Sequence, residues 1–206
     1  MIASIIFFLI ILVGLILNEF ISRRFLIPVS FSRKIAHVFS SLVVFCMPYF
    51  LVKDEIIAVS LTFALLLFFT RNKNTFSSIH SVERKTFGEI FLPMGVIICA
   101  LIFLPDKAVQ FQFGILIMGI SDALASIVGG KYGKHGFKIF GHKKSLEGSG
   151  AFLISSLIIV FFFTGKLGGN IIFIPVILTL VESFLILGLD NLILPMVGAY
   201  LIQLYG

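Results

Sequence analysis

The sequence predicts an all-α, polytopic integral membrane protein with seven to eight transmembrane helices, and three features predict it. Of the 206 residues, 59% are hydrophobic and only 13% are charged, against about 25% charged in a soluble domain. Mean hydropathy is +1.14. Apolar runs recur along the whole chain, more than one globular core can bury, so the excess faces lipid. Cys46 and Cys99 lie in different runs and read as small core residues rather than a disulfide framework.

The runs fall at about Ile2–Leu17, Ala36–Val52, Ile56–Thr70, Ile90–Leu104, Val109–Gly129, Ser149–Thr164, Asn170–Leu187 and Leu192–Leu204. The first has no basic leader and no small-residue cleavage site, so it reads as a retained span rather than a signal peptide. Several are shorter than the roughly 20 residues of a perpendicular helix. The last contains Pro195 and either spans or re-enters. All eight belong to a single transmembrane domain, residues 1–206, without a soluble appendage or internal repeat.

Charge orients the bundle. With the N-terminus outside, the cytoplasmic loops are 21–35, 71–89 and 130–147, and they hold 13 of the 16 basic residues. Lys53, Lys107 and Lys166 remain outside, a split that fits the positive-inside rule. The net charge of +6 is read as topology plus attraction to anionic membrane lipid. No nucleic-acid partner is expected.

Charged groups inside spans are costly and mark cavities or partners. Asp122 stands inside the fifth run, in "GISDALASIVGGKYG". On a helix it shares one face with Ser126, Gly129 and Gly133, bordered by Ala125 and Gly130. Small residues of this kind let a second helix approach, but they do not explain a carboxylate, which needs a cation. Glu182 lies in the seventh run; Asp190 and Asn191 follow it, with Gly188 loosening the helix between. Together with Glu147, these make four acidic groups that can converge on one membrane face. His37 shares a helix face with Arg33 and Lys34 in "SRKIAH", a pattern suited either to a helix–helix hydrogen bond or to an anion.

The segment "GHKKSLEGSG", Gly141–Gly150, places Lys143, Lys144, Ser145 and Glu147 among glycines. Lysines and unobstructed backbone N–H groups suit phosphate. Carboxylates beside them make sense if a divalent cation lies between, held by one or two carboxylates and by phosphate oxygens. The segment is not a P-loop, because His142 stands where that motif needs Lys. On the residues alone, a phosphate site and a solvated loop remain open.

Four motifs occur in order: "RKIAH" (Arg33–His37), "SDALASIVGGKYGK" (Ser121–Lys134), "KKSLEG" (Lys143–Gly148), and Glu182 followed by "DNLILP" (Asp190–Pro195). Together they resemble the polyprenol kinase family, which includes dolichol kinase, phytol kinase and a CTP-dependent diacylglycerol kinase; "RKTFGEI" (Arg84–Ile90) is a softer match. The resemblance covers nearly the whole chain, and the length is closer to the phytol kinase type. It implies a membrane kinase using CTP as phosphoryl donor and a lipid alcohol as acceptor. It also implies a nucleotide site at Asp122, Ala123, Ala125, Gly129, Gly133, Lys144, Ser145, Glu147 and Gly148. Joined to the residue reading, Arg33, Lys34, Gly130, Lys134 and Lys143 assist in binding the nucleotide, and Asp122 holds Mg²⁺ with Glu147 or Asp190. One of His37, Glu182 and Asp190 accepts the hydroxyl proton. The competing readings are a CTP-dependent cytidylyltransferase making a CDP-lipid and a small ion-coupled transporter.

Overall fold

A computed structural model describes residues 2–71, 87–166 and 168–206. The stretch 72–86 lies outside the described residues, and with it Lys73, Arg84 and Lys85 of the expected basic loop. Eight helices carry the described chain: α1 (Ile2–Arg24), α2 (Val29–Cys46), α3 (Lys53–Thr70), α4 (Gly88–Phe103), α5 (Ala108–Tyr132), α6 (Leu146–Thr164), α7 (Phe173–Phe184) and α8 (Asp190–Tyr205). Of these, α1, α2 with its following 3₁₀ turn, α5 and α6 are long and apolar enough to cross a membrane, while α4 and α7 are shorter apolar helices.

Before Asp122, α5 is apolar on nearly every side, and a helix of that kind belongs in the interior. Phe111, Phe113, Ile115, Ile117 and Met118 are fully buried there. Around α5 pack α2, α4, α6 and α8; α3 lies against α4, α1 against α2, and α7 against α6 and α8. The outer helices leave Leu9, Val13, Phe68, Ile158 and Phe162 exposed, as a lipid-facing surface requires. Cys99 is buried as expected, but Cys46 is exposed.

Two departures from the sequence expectation bear on function. The loop expected at 130–147 contains an antiparallel hairpin, β1 (Gly136–Ile139) and β2 (His142–Ser145), so the protein is not purely helical. Phe140 and Gly141 form its two-residue turn with φ of 47° and 81°, the primed-turn geometry that matches strand twist. Secondly, α5 is not regular: a π-helical turn occupies Ile117–Ser121, immediately before Asp122. The basic stretch 21–35 is largely helical, as the end of α1 and the start of α2.

Candidate functional site

The middle of α1, the start of α2, the ends of α3, α5 and α7, the hairpin and the starts of α4, α6 and α8 line one common space. It is a partly open cavity of about 1420 Å³. Its lining includes Arg33, Lys34, His37, Asp122, Gly129, Gly130, Gly133, Lys143, Lys144, Ser145, Gly148, Glu182 and Asp190. Most of the residues singled out in the sequence therefore share one space, and Asp122 and Lys144 face it from opposite elements. Three do not join them: Ala123 is buried in α5 away from the cavity lining, and Lys134 and Glu147 lie elsewhere. Lys134 is exposed on the connection between α5 and β1. Glu147 turns outward, accepting from His135 Nδ1 at 2.7 Å and from the His135 backbone N–H at 3.2 Å.

Two lysine–carboxylate pairs lie in the cavity. Lys34 Nζ donates to Asp122 Oδ2 at 2.6 Å, with both side chains buried. The Asp122 carboxyl also lies close to that of Asp190 in the same cavity. Lys144 Nζ donates to Glu182 Oε1 at 2.5 Å and to the Glu182 carbonyl. Glu182 leaves its Oε2 buried and without a partner among the described residues, as Asn191 does its Oδ1. Buried acceptors left over in this way are uncommon and point to a donor or cation not supplied by the chain.

The π turn explains His37. An i→i+5 turn leaves a main-chain carbonyl without its usual partner, and His37 Nε2 donates to Met118 O at 3.1 Å. This is a bond between helices, the first of the two readings of His37 in the sequence. Gly188, with φ of 91°, does break the chain between α7 and α8. Asn191 then turns back into the bundle, donating from Nδ2 to Gly88 O at 2.7 Å.

The small face of α5 meets a small face on α6. Ser145 ends β2 and caps α6, its Oγ accepting from the Gly148 backbone N–H at 3.2 Å. A Cβ on Gly148 would come within 2.9 Å of Ala125 O, and one on Gly129 within 2.9 Å of Ser145 Oγ. These glycines therefore set how closely hairpin and α6 approach α5, and this holds Lys144 over the carboxylates. Gly130 faces open space instead. Glu89, which sequence reasoning passed over, lines the cavity with its side chain buried and paired to Arg71 at 3.6 Å. Its only sequence signal was its position inside "RKTFGEI". It takes the place foreseen for Glu147 as the fourth acidic group.

Among the described residues no three His, Cys, Asp or Glu side chains form a ready-made metal cage. The donor set of adjoining Asp122 and Asp190 fits Mg²⁺ in another way, since that ion is commonly held by one or two carboxylates together with substrate phosphates. Two neighbouring carboxylates also call for added positive charge beyond the one lysine.

Fold and site define a helical membrane protein with a charged cavity at the common end of its helices. The chain is 29% identical over 197 residues to a phytol kinase of Synechocystis sp., an overlap that spans 91% of this chain and 84% of that protein. This similarity supports a relationship to the polyprenol and phytol kinase family. An uncharacterised protein of Methanocaldococcus jannaschii is 36% identical over 116 residues, 56% of this chain and 58% of its own length. No family model and no solved structure matches the chain.

Proposed function

We propose that this protein is a membrane-embedded kinase that transfers the γ-phosphoryl group of CTP to a lipid alcohol. The observation that carries the reading is one cavity in which lysines and carboxylates at the polar end are continuous with an apolar arm among α1, α2 and α3. The similarity to a protein named phytol kinase supports the same chemistry. In this reading eight helices cross the bilayer, the N-terminus lies outside, and the charged end of the cavity opens to the cytoplasm. Both the basic loops and the common position of the charged helix ends favour that orientation.

Phosphoryl transfer is largely positioning and charge stabilisation. Lys143, on the exposed face of β2, and Lys144 receive the triphosphate, and Arg33 adds charge from α2. Asp122 and Asp190 are the residues that would hold Mg²⁺. When bound, that ion offsets charge on the phosphate oxygens. Lys34 holds and orients Asp122. Glu182 grips Lys144 through one carboxylate oxygen and presents the other, unpartnered, to the acceptor. As the alcohol oxygen bonds to the γ-phosphorus, the bond from that phosphorus to the β–γ bridging oxygen breaks. CDP departs, and Glu182 Oε2 takes the hydroxyl proton. With its Nε2 committed to Met118 O, His37 serves as a positioning residue.

The test is purified protein in liposomes with phytol, geranylgeraniol or diacylglycerol and CTP labelled in the α or the γ phosphate. Label passing to lipid from the γ position alone is the expected result. Transfer of the α label with cytidine would replace the reading with a cytidylyltransferase. Ion flux without lipid labelling would replace it with a transporter.

A further inference from the structure

The charged residues occupy only one end of the cavity. Its lining continues away from them along Ile11 and Leu15 of α1, Val44 and Met47 at the far end of α2, and Val59 and Phe63 of α3. All six are buried, Met47 completely. The other helices contribute only near the charged end: Gly88, Glu89, Leu92 and Pro93 from α4, and Asp190 and Asn191 from α8. The deep arm thus belongs to the first three helices.

We infer that this arm holds the hydrocarbon tail of a single-chain lipid alcohol and gauges its length, with Met47 as the end stop. The inference rests on the kinase reading for the identity of the head group. Met47 lies thirteen positions beyond Lys34, about 20 Å along the helix. An extended chain advances about 3.4 Å per three bonds, so the arm accommodates roughly seventeen bonds. That matches a phytol or geranylgeraniol backbone and falls far short of a long polyprenol. Lipid tails are as apolar as the lining, so entering the arm gains little from the hydrophobic effect. Selection therefore comes from fit: a tail too long or doubled cannot bring its hydroxyl to Asp122 and Glu182. A chain too short forfeits packing contacts.

Two measurements on the whole protein in liposomes test this. In the first, hexadecanol carrying a terminal diazirine is photolysed and the cross-links are mapped. They are expected on Val44, Met47 and Val59. Cross-links confined to the outer faces of α1 and α6 would overturn the arm. In the second, turnover of geranylgeraniol is divided by turnover of geraniol in each variant, so that folding losses cancel. The ratio should fall about tenfold or more in Val59→Phe, because one misplaced group in an apolar pocket has an effect of this size. In Met47→Ala, preference should shift toward longer prenols. A ratio unchanged in both variants, or diacylglycerol accepted as well as geranylgeraniol, overturns the inference and leaves the kinase standing. Cross-links on the three residues without phosphorylation of any alcohol support the arm and remove the kinase.

Discussion

At the scale of single residues, the buried pair of Lys34 and Asp122 governs the charged end of the cavity. Both side chains are nearly inaccessible and 2.6 Å apart. Taking away one partner of such a pair costs about 3–5 kcal/mol because a charge is left uncompensated, whereas replacing both by apolar groups is often neutral. Asp122→Asn is therefore expected to lower stability by about 3 kcal/mol and to remove γ-phosphoryl transfer. The double variant Lys34→Met with Asp122→Leu should recover most of the stability and none of the transfer. Thermal unfolding in detergent and the labelled-CTP assay read the two effects separately. Turnover regained in the double variant would mean that Asp122 acts only as a structural partner. Sequence made Asp122 legible because a carboxylate among Ile, Leu and Ala demands a cation. It did not name that cation, since Lys34 is 88 positions away and only the packing of α2 on α5 brings them together. Lys144 and Glu182, 38 positions apart, were each legible as charged groups near one membrane face, but not as a pair.

At the scale of elements, the contact between α5 and the hairpin–α6 unit decides where Lys143 and Lys144 sit. Helical periodicity alone put Gly129 and Gly133 on one face and showed that something packs there. That the something is Gly148 behind a Ser145 cap depends on a hairpin, and four-residue strands carry too short an alternation to be read against a glycine-rich background. The π turn was equally hidden, as nothing in "ILIMGIS" marks an extra residue in a helical turn. The glycines now make a discriminating prediction. Gly148→Ala sets a Cβ 2.9 Å from Ala125 O and 3.2 Å from Gly129 Cα, so α6 must shift. Overpacking of this kind costs about 1–3 kcal/mol. Gly130→Ala, two helical positions before the end of α5 and with nothing within 4 Å, should instead stabilise by about 0.5–1 kcal/mol through helix propensity. The melting temperatures of the two variants should move in opposite directions; movement together would refute the packing role of Gly148.

At the scale of the whole molecule, eight alternating helices carry every charged lining residue to one end. Composition made the helices legible, and the crowding of 13 basic residues into alternate loops predicts their direction. What sequence could not give was the meeting of helix ends and hairpin over one space, because that follows from α5 standing at the centre with α2, α6 and α8 around it. Orientation has a direct consequence for nucleotide supply, since CTP reaches the cavity only if the hairpin faces the cytoplasm. In a chain with Cys46 and Cys99 replaced by alanine, a single cysteine at Lys143 on β2 should resist a membrane-impermeant maleimide added to intact cells. The same reagent should label it in inverted vesicles. A single cysteine at Lys53, at the start of α3 on the opposite end of the bundle, should behave in the reverse way. Adding CTP with Mg²⁺ to inverted vesicles should then slow labelling at Lys143→Cys, because the kinase reading sets the triphosphate against β2, and leave Lys53→Cys untouched. Labelling of Lys143→Cys from outside the cell would place the cavity on the face where no nucleotide is supplied, and the kinase reading could not stand with it.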